Sequence, residues 1–138
     1  MAELDASYGA PPTEAPAARV AQIQRLVFGT PPAAHVLLAR DGAHLVGLAA
    51  YSYLWPAAGV THSIYLKELY VRERHRRRGI GKLLTDRLQA IAAEQGCSRV
   101  EWTTDRDNTG ALAFYASLGV PVHESKVFYR IGIPADPS

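Results

Sequence analysis

The chain has a single cysteine, a single methionine and only three phenylalanines in 138 residues. With Cys97 as its one thiol, no internal disulfide can form, and a disulfide-stapled scaffold is excluded. The same scarcity fits a reducing, cytoplasmic compartment. Cys97 follows Gly96 and reads as a small apolar filler rather than a nucleophile. No apolar stretch reaches the roughly 18 residues that span a bilayer, so no membrane partner is expected. Met1 to Pro12 carries Glu3 and Asp5 without a basic n-region, so no signal peptide is expected there. His35, His44, His62, His75 and His123 lack metal-ligand spacing, which predicts no metal.

A large net charge is also missing, at only +2. The basic charge is instead concentrated. Arg72 to Arg78 holds five arginines and one glutamate, a local +4, which leaves −2 for the other 131 residues. A patch of that size suits a compact polyanion better than a long nucleic acid. No aromatic residue interleaves with these arginines, a further mark against nucleic acid.

What is present suits one α/β domain over 1–138, long enough for a single core. Residues 1–12 read as a loose arm. Thr13 caps an expected helix over about 14–28, with Val20, Ile23 and Val27 on one face and Gly29 at its end. Strands are expected at Val36–Arg40 and Ala43–Leu54, joined by a tight turn at Asp41-Gly42. A loop from Trp55 to Gly59 leads to a third strand over His62–Arg72. Ile80, Leu83, Leu84, Leu88, Ile91 and Ala92 form a helical stripe that Gly96 stops. A short strand follows at Arg99–Thr104. Asp107 or Asn108 caps a helix carrying Ala111, Phe114, Tyr115 and Leu118, closed by Gly119. Lys126–Ile133 reads as a last strand. This order predicts a mixed, mostly antiparallel sheet flanked by helices.

Within this order, Arg76-Arg77-Arg78-Gly79-Ile80-Gly81 stands where a strand feeds directly into a helix. Such a junction presents unpaired N–H groups at the positive end of the helix and holds phosphate oxygens without a dedicated side chain. The arginines add charge-assisted donors.

With Arg76-x-x-Gly79-x-Gly81, and with Asn108, Phe114-Tyr115 and Gly119 following in order, the chain resembles the GNAT superfamily of acyl-CoA-dependent N-acetyltransferases over about 36–131. Val46 to Tyr51 and Ile64 to Val71 are most similar to its small diamine, polyamine and thialysine branch. The resemblance implies the GNAT acyl-CoA N-acyltransferase fold, acetyl-CoA as co-substrate and a small-molecule primary amine as acceptor, acetylated by direct attack in a ternary complex. A non-catalytic acyl-CoA sensor and an acetyltransferase of a protein amine remain alternatives. It also implies roles. Leu69 and Val71 offer backbone groups to the pantetheine arm, and Arg76, Arg77, Arg78, Gly79, Gly81 and Lys82 take the diphosphate. Asn108 contacts the cofactor, and Tyr115 sits beside the thioester sulfur.

The base for the amine is assigned to Glu68, or to a water relayed to it. Strand alternation puts Glu68 on the face of Ile64, Leu66 and Tyr70, where apolar neighbours raise its pKa, and sends Lys67 to the opposite face. An ion pair with a nearby arginine is the other use for Glu68. Lys67 departs from the acid usual at that position in the polyamine branch. Tyr53 and Trp55 are expected to line the acceptor pocket. A homodimer is expected, because a C-terminal strand from Lys126 leaves an edge to cover.

Overall fold

The computed structural model describes residues 14–135. The arm 1–12 and the Thr13 cap lie outside the described residues. Two compact units divide the chain, one reaching Thr103 and the other beginning at Thr104.

The first unit starts with helix α1, Pro16–Val27. Pro16 opens it, where a missing N–H costs nothing. Four strands follow: β1 His35–Asp41, β2 His44–Leu54, β3 Ser63–Val71 and β4 Arg99–Glu101. They form one sheet in the order β1-β2-β3-β4. The first three run antiparallel and β4 joins β3 in parallel, which makes the sheet mixed, as expected. The hairpin turn falls on Gly42-Ala43, one residue later than the sequence suggested, because Asp41 still pairs with His44.

Helix α2, Ile80–Glu94, is the crossover between β3 and β4. Leu84, Leu88 and Ala92 meet Ala49, Tyr51, Ile64 and Leu66 in the core. Leu83, placed in the stripe by the sequence, is 66% exposed, while Thr85 is buried. These two lie about 160° apart around the helix, so only one can face the sheet. The Thr85 hydroxyl donates back to the carbonyls of Gly81 and Lys82, which satisfies it in place. Gly96, at φ +72°, closes α2: its N–H reaches Ala93 O and the Cys97 N–H reaches Ala92 O. Burial pushes the Cys97 thiol up. It packs against the core, the filler role expected of it.

The second unit contains helix α3, Thr109–Ser117, with Asn108 as its N-cap. Gly119 ends it by the same pair of bonds, to Ala116 O and from Val120 to Tyr115 O. The strand expected at Lys126–Ile133 does not form. Its apolar residues Val127, Tyr129, Ile131 and Ile133 are exposed, and no strand among the described residues pairs with them. An alternating pattern supplies a face, but a strand also needs a partner for its backbone. The edge that suggested a homodimer is therefore not there in that form.

Gly47 sets how close α2 comes to the sheet. A Cβ at this position would lie 3.0 Å from Tyr70 O and 3.4 Å from Ile80 Cγ2. Gly47→Val should lower stability in denaturant titration by about 1–3 kcal/mol through overpacking. An unchanged midpoint would show that α2 does not rest on β2 at that point.

Candidate functional site

The β3–α2 connection is a sharp corner. A short 3₁₀ turn, Glu73–His75, leads to Arg76, and then Arg77 and Gly79 adopt positive φ of 63° and 78°. A non-glycine residue in the left-handed region costs about 1 kcal/mol or more, so the Arg77 conformation is held by its surroundings. Alternating hands of backbone gather successive N–H groups into a concave nest. Gly79 is the N-cap of α2, and no side chain caps the helix. The first helical bond from this end is Leu83 N–H to Gly79 O. The N–H groups of Ile80, Gly81 and Lys82 precede it and have no intrahelical acceptor. No acidic residue stands in the first turn.

Arg76 has a positional task here. Its Nε donates to Val71 O at 2.9 Å, and its guanidinium lies over the Tyr70 ring at 5.5 Å. It clips the corner to the end of β3. Arg77 and Arg78 are exposed. Lys82 Nζ meets Asp86 at 2.6 Å, one turn along α2.

Beside this corner β3 has an open edge. Its ladder with β4 consists of Ser63↔Arg99, Ile64↔Val100 and Tyr65↔Glu101. From Leu66 onward that edge has no strand partner among the described residues. Arg72 N–H donates to Val46 O on β2. Antiparallel residues face the partner alternately, so Val71 and Leu69 turn their N–H and C=O groups toward the open edge. The structure thus brings Leu69, Val71, Arg76, Arg77, Arg78, Gly79, Gly81 and Lys82 together. A diphosphate with an amide-bearing arm fits this set: orphan N–H groups for the phosphates and, for the arm, a strand edge that no strand among the described residues covers, with Val71 O also held by Arg76.

Glu68 stands elsewhere than the sequence suggested. Ala50 pairs with Glu68 but Tyr51 pairs with Leu66, so β3 bulges at Lys67. Two residues instead of one separate Leu66 from Leu69, and both of these pack with the core. Glu68 and Tyr70 therefore fall on the face opposite Ile64 and Leu66. The simple alternation that set Lys67 and Glu68 on opposite faces does not hold across the bulge.

Tyr53 and Trp55 lie at the other end of the hairpin. Tyr53 pairs with Ile64, five residues along β3 from Leu69, or about 17 Å. Trp55 Nε1 donates to Val60 O and pins its own loop. Tyr53 belongs to a ring cluster with His35, Tyr51 and His62 at centroid distances of 5.3 to 6.0 Å. Loss of solvent, with Tyr51 and Cys97 nearby, pushes the Tyr53 phenol up, which keeps it protonated near neutrality.

In the second unit, Asn108 Oδ1 accepts the Ala111 N–H at 3.1 Å, so that oxygen holds the helix start. Tyr115 is half-buried, its ring 5.2 Å from that of Phe114. Among the described residues no cluster of His, Cys, Asp or Glu has metal-site geometry.

The model of the acetyltransferase (GNAT) family matches residues 2–120. The chain belongs to the GNAT family. The match takes in every candidate site residue named above. The chain is 28% identical over 100 residues to thialysine N-epsilon-acetyltransferase of Sus scrofa, covering 67% of this chain and 58% of that protein. It is 31% identical over 78 residues to L-ornithine N5-acetyltransferase of Arabidopsis thaliana, covering 56% of this chain and 34% of that one. It therefore spans only part of the length of these curated relatives. Among solved structures, an integron cassette protein from the mobile metagenome of V. cholerae superposes with a TM-score of 0.86 at 28% identity, covering 95% of this chain and 81% of that chain. The GNAT fold read from the two sequence motifs is thus the fold present.

Two positions that shape this corner were missed in the sequence: the bulge at Lys67 and the close approach at Gly47. Nothing in the Ile64–Val71 pattern signals a bulge. A glycine inside a strand is itself the sign of a nearby backbone, and Gly47 carried that sign. Replacing Gly79 by alanine should cost about 1–2 kcal/mol of stability from its left-handed φ. It should also weaken coenzyme A binding beyond that loss, measured by calorimetric titration. Unchanged affinity would remove Gly79 from the anion site.

Proposed function

We propose that the protein is an acetyl-CoA-dependent N-acetyltransferase that acetylates a primary amine of a small molecule by direct attack in a ternary complex. The observation that carries this reading is the pairing of an uncapped helix start at Gly79–Lys82 with the open edge of β3. The related proteins from Sus scrofa and Arabidopsis thaliana are named as a thialysine N-epsilon-acetyltransferase and an L-ornithine N5-acetyltransferase, which supports a small-molecule amine as acceptor.

Coenzyme A would be held by backbone N–H groups of Ile80 to Lys82, by the arginines at 76 to 78 and by the outward backbone of Leu69 and Val71. In the acetylated form, acetyl-CoA, the thioester supplies an activated acyl carbon. The protein must supply a neutral amine. With a pKa near 10.4, only about one alkylamine in 2,500 is neutral at pH 7, a deficit of roughly 4.6 kcal/mol. Glu68, on the face of the sheet away from α2, takes that proton directly or through water. Backbone N–H groups beside the bulge meet the negative charge that grows on the acyl oxygen.

For Tyr115 the support is chemical. A phenol of pKa about 10 cannot fully protonate a thiolate of pKa about 8.5 without a cost near 2 kcal/mol. Its task is a hydrogen bond that strengthens as the thiolate leaves. The resemblance gives Asn108 a contact with the cofactor, and with its oxygen committed to the helix cap the amide N–H₂ is the group that suits such a contact.

The test follows free-thiol release from acetyl-CoA across a panel of small primary amines. Tyr115→Phe should lower kcat by about 10²- to 10⁴-fold, and Glu68→Gln should lower it at neutral pH, both with coenzyme A affinity kept. A protein that binds coenzyme A yet transfers to no amine would contradict the enzymatic reading and favour a sensor.

A further inference from the structure

β3 changes register at one residue. Ala50 stands opposite Glu68 and Tyr51 opposite Leu66, so Lys67 is the extra residue of the bulge. The β3–β4 ladder ends two residues earlier, at Tyr65↔Glu101. The bulge therefore lies at the mouth where β3 parts from β4. Leu66 before it is buried in the core, Glu68 after it is half-buried, and Lys67 itself is exposed. Among the described residues Lys67 forms no ion pair, in contrast to Lys82, which is joined to Asp86.

A bulge is a costly place for a merely decorative charge. It re-aims side chains at a strand opening, and it sets an ammonium and a carboxylate next to each other at one end of the open edge. The other end of that edge, at Val71, adjoins the anion cradle. On the function proposed above, the edge leads from that cradle to the place where the acyl group meets its acceptor, and that place is the bulge. Consecutive positive and negative groups there complement a ligand that carries a carboxylate and an ammonium. They repel a ligand that carries ammonium groups alone from the Lys67 side.

We propose that Lys67 is a specificity-determining residue: its ammonium receives a carboxylate of the acceptor, so the substrate class is an amino acid bearing a primary amine and not a polycationic amine. The inference rests on the acetyltransferase reading and narrows it. No covalent step is added, since the contact is an ion pair made on binding.

Matched amines test this directly. L-Ornithine and putrescine differ only by a carboxylate, as do L-lysine and cadaverine. The wild-type protein should favour the carboxylate-bearing member of each pair by about tenfold or more in kcat/KM. Lys67→Met should erase most of that ratio, and Lys67→Glu should invert it. Calorimetric binding of the same pairs to the protein holding coenzyme A should follow the same order, independently of turnover. Because Lys67 is exposed, neither variant should change the melting temperature. Equal ratios in all three proteins, a wild-type preference for the diamines, or transfer to none of the four compounds by protein that binds coenzyme A would overturn the role of Lys67. The last result leaves the acetyltransferase reading standing for other acceptors. Failure to bind coenzyme A overturns both.

Discussion

The structure turns on a helix start that is left uncapped. Every α-helix begins with N–H groups that lack intrahelical acceptors, and most chains cover them with a side chain. Here Gly79 holds the cap position, with no capping side chain and no acid in the first turn. Helix α1 also starts without a side-chain cap, at Ala15, but only at Gly79 does the uncapped start adjoin the open edge of β3 and a left-handed Arg77. Strain and unsatisfied donors at the same place are the marks of a binding corner rather than of a simple connection.

Two features of the sheet give that corner a use. Gly47 removes a side chain where one would meet Tyr70 O and Ile80, so α2 rests directly on β2 and its first turn lies beside the end of β3. The bulge at Lys67 then shifts the alternation, which keeps Leu69 and Val71 with the core while Glu68 and Tyr70 take the other face. β3 pairs with β4 only before the bulge. Beyond it the strand offers its backbone to whatever lies along the edge, and the Arg76 bond to Val71 O shows that those groups accept partners from that side.

Much of this was legible in the chain because it depends on local chemistry. The arginine-glycine run between an apolar strand and a periodic helix announces the cradle. Gly96, Asn108 and Gly119 mark helix ends that formed as such marks require. What failed were inferences that depended on partners. Lys126–Ile133 has the alternation of a strand and no neighbour to pair with. Leu83 fits the stripe by spacing but points away from the sheet. The face of Glu68 was misjudged because one inserted residue flips a strand pattern, and insertion leaves no trace in composition. Tyr53, read with Trp55 as an acceptor-pocket residue, is set by the hairpin opposite Ile64, on the far side of the bulge from the anion corner, and that reading stays a proposal.

The direct measurement is amide hydrogen exchange, residue by residue, with and without coenzyme A. The account predicts slowed exchange at Ile80, Gly81 and Lys82 together with Leu69 and Val71, while amides of the β1–β2 hairpin stay unchanged. Binding that protects other amides and leaves these five as they were would contradict it.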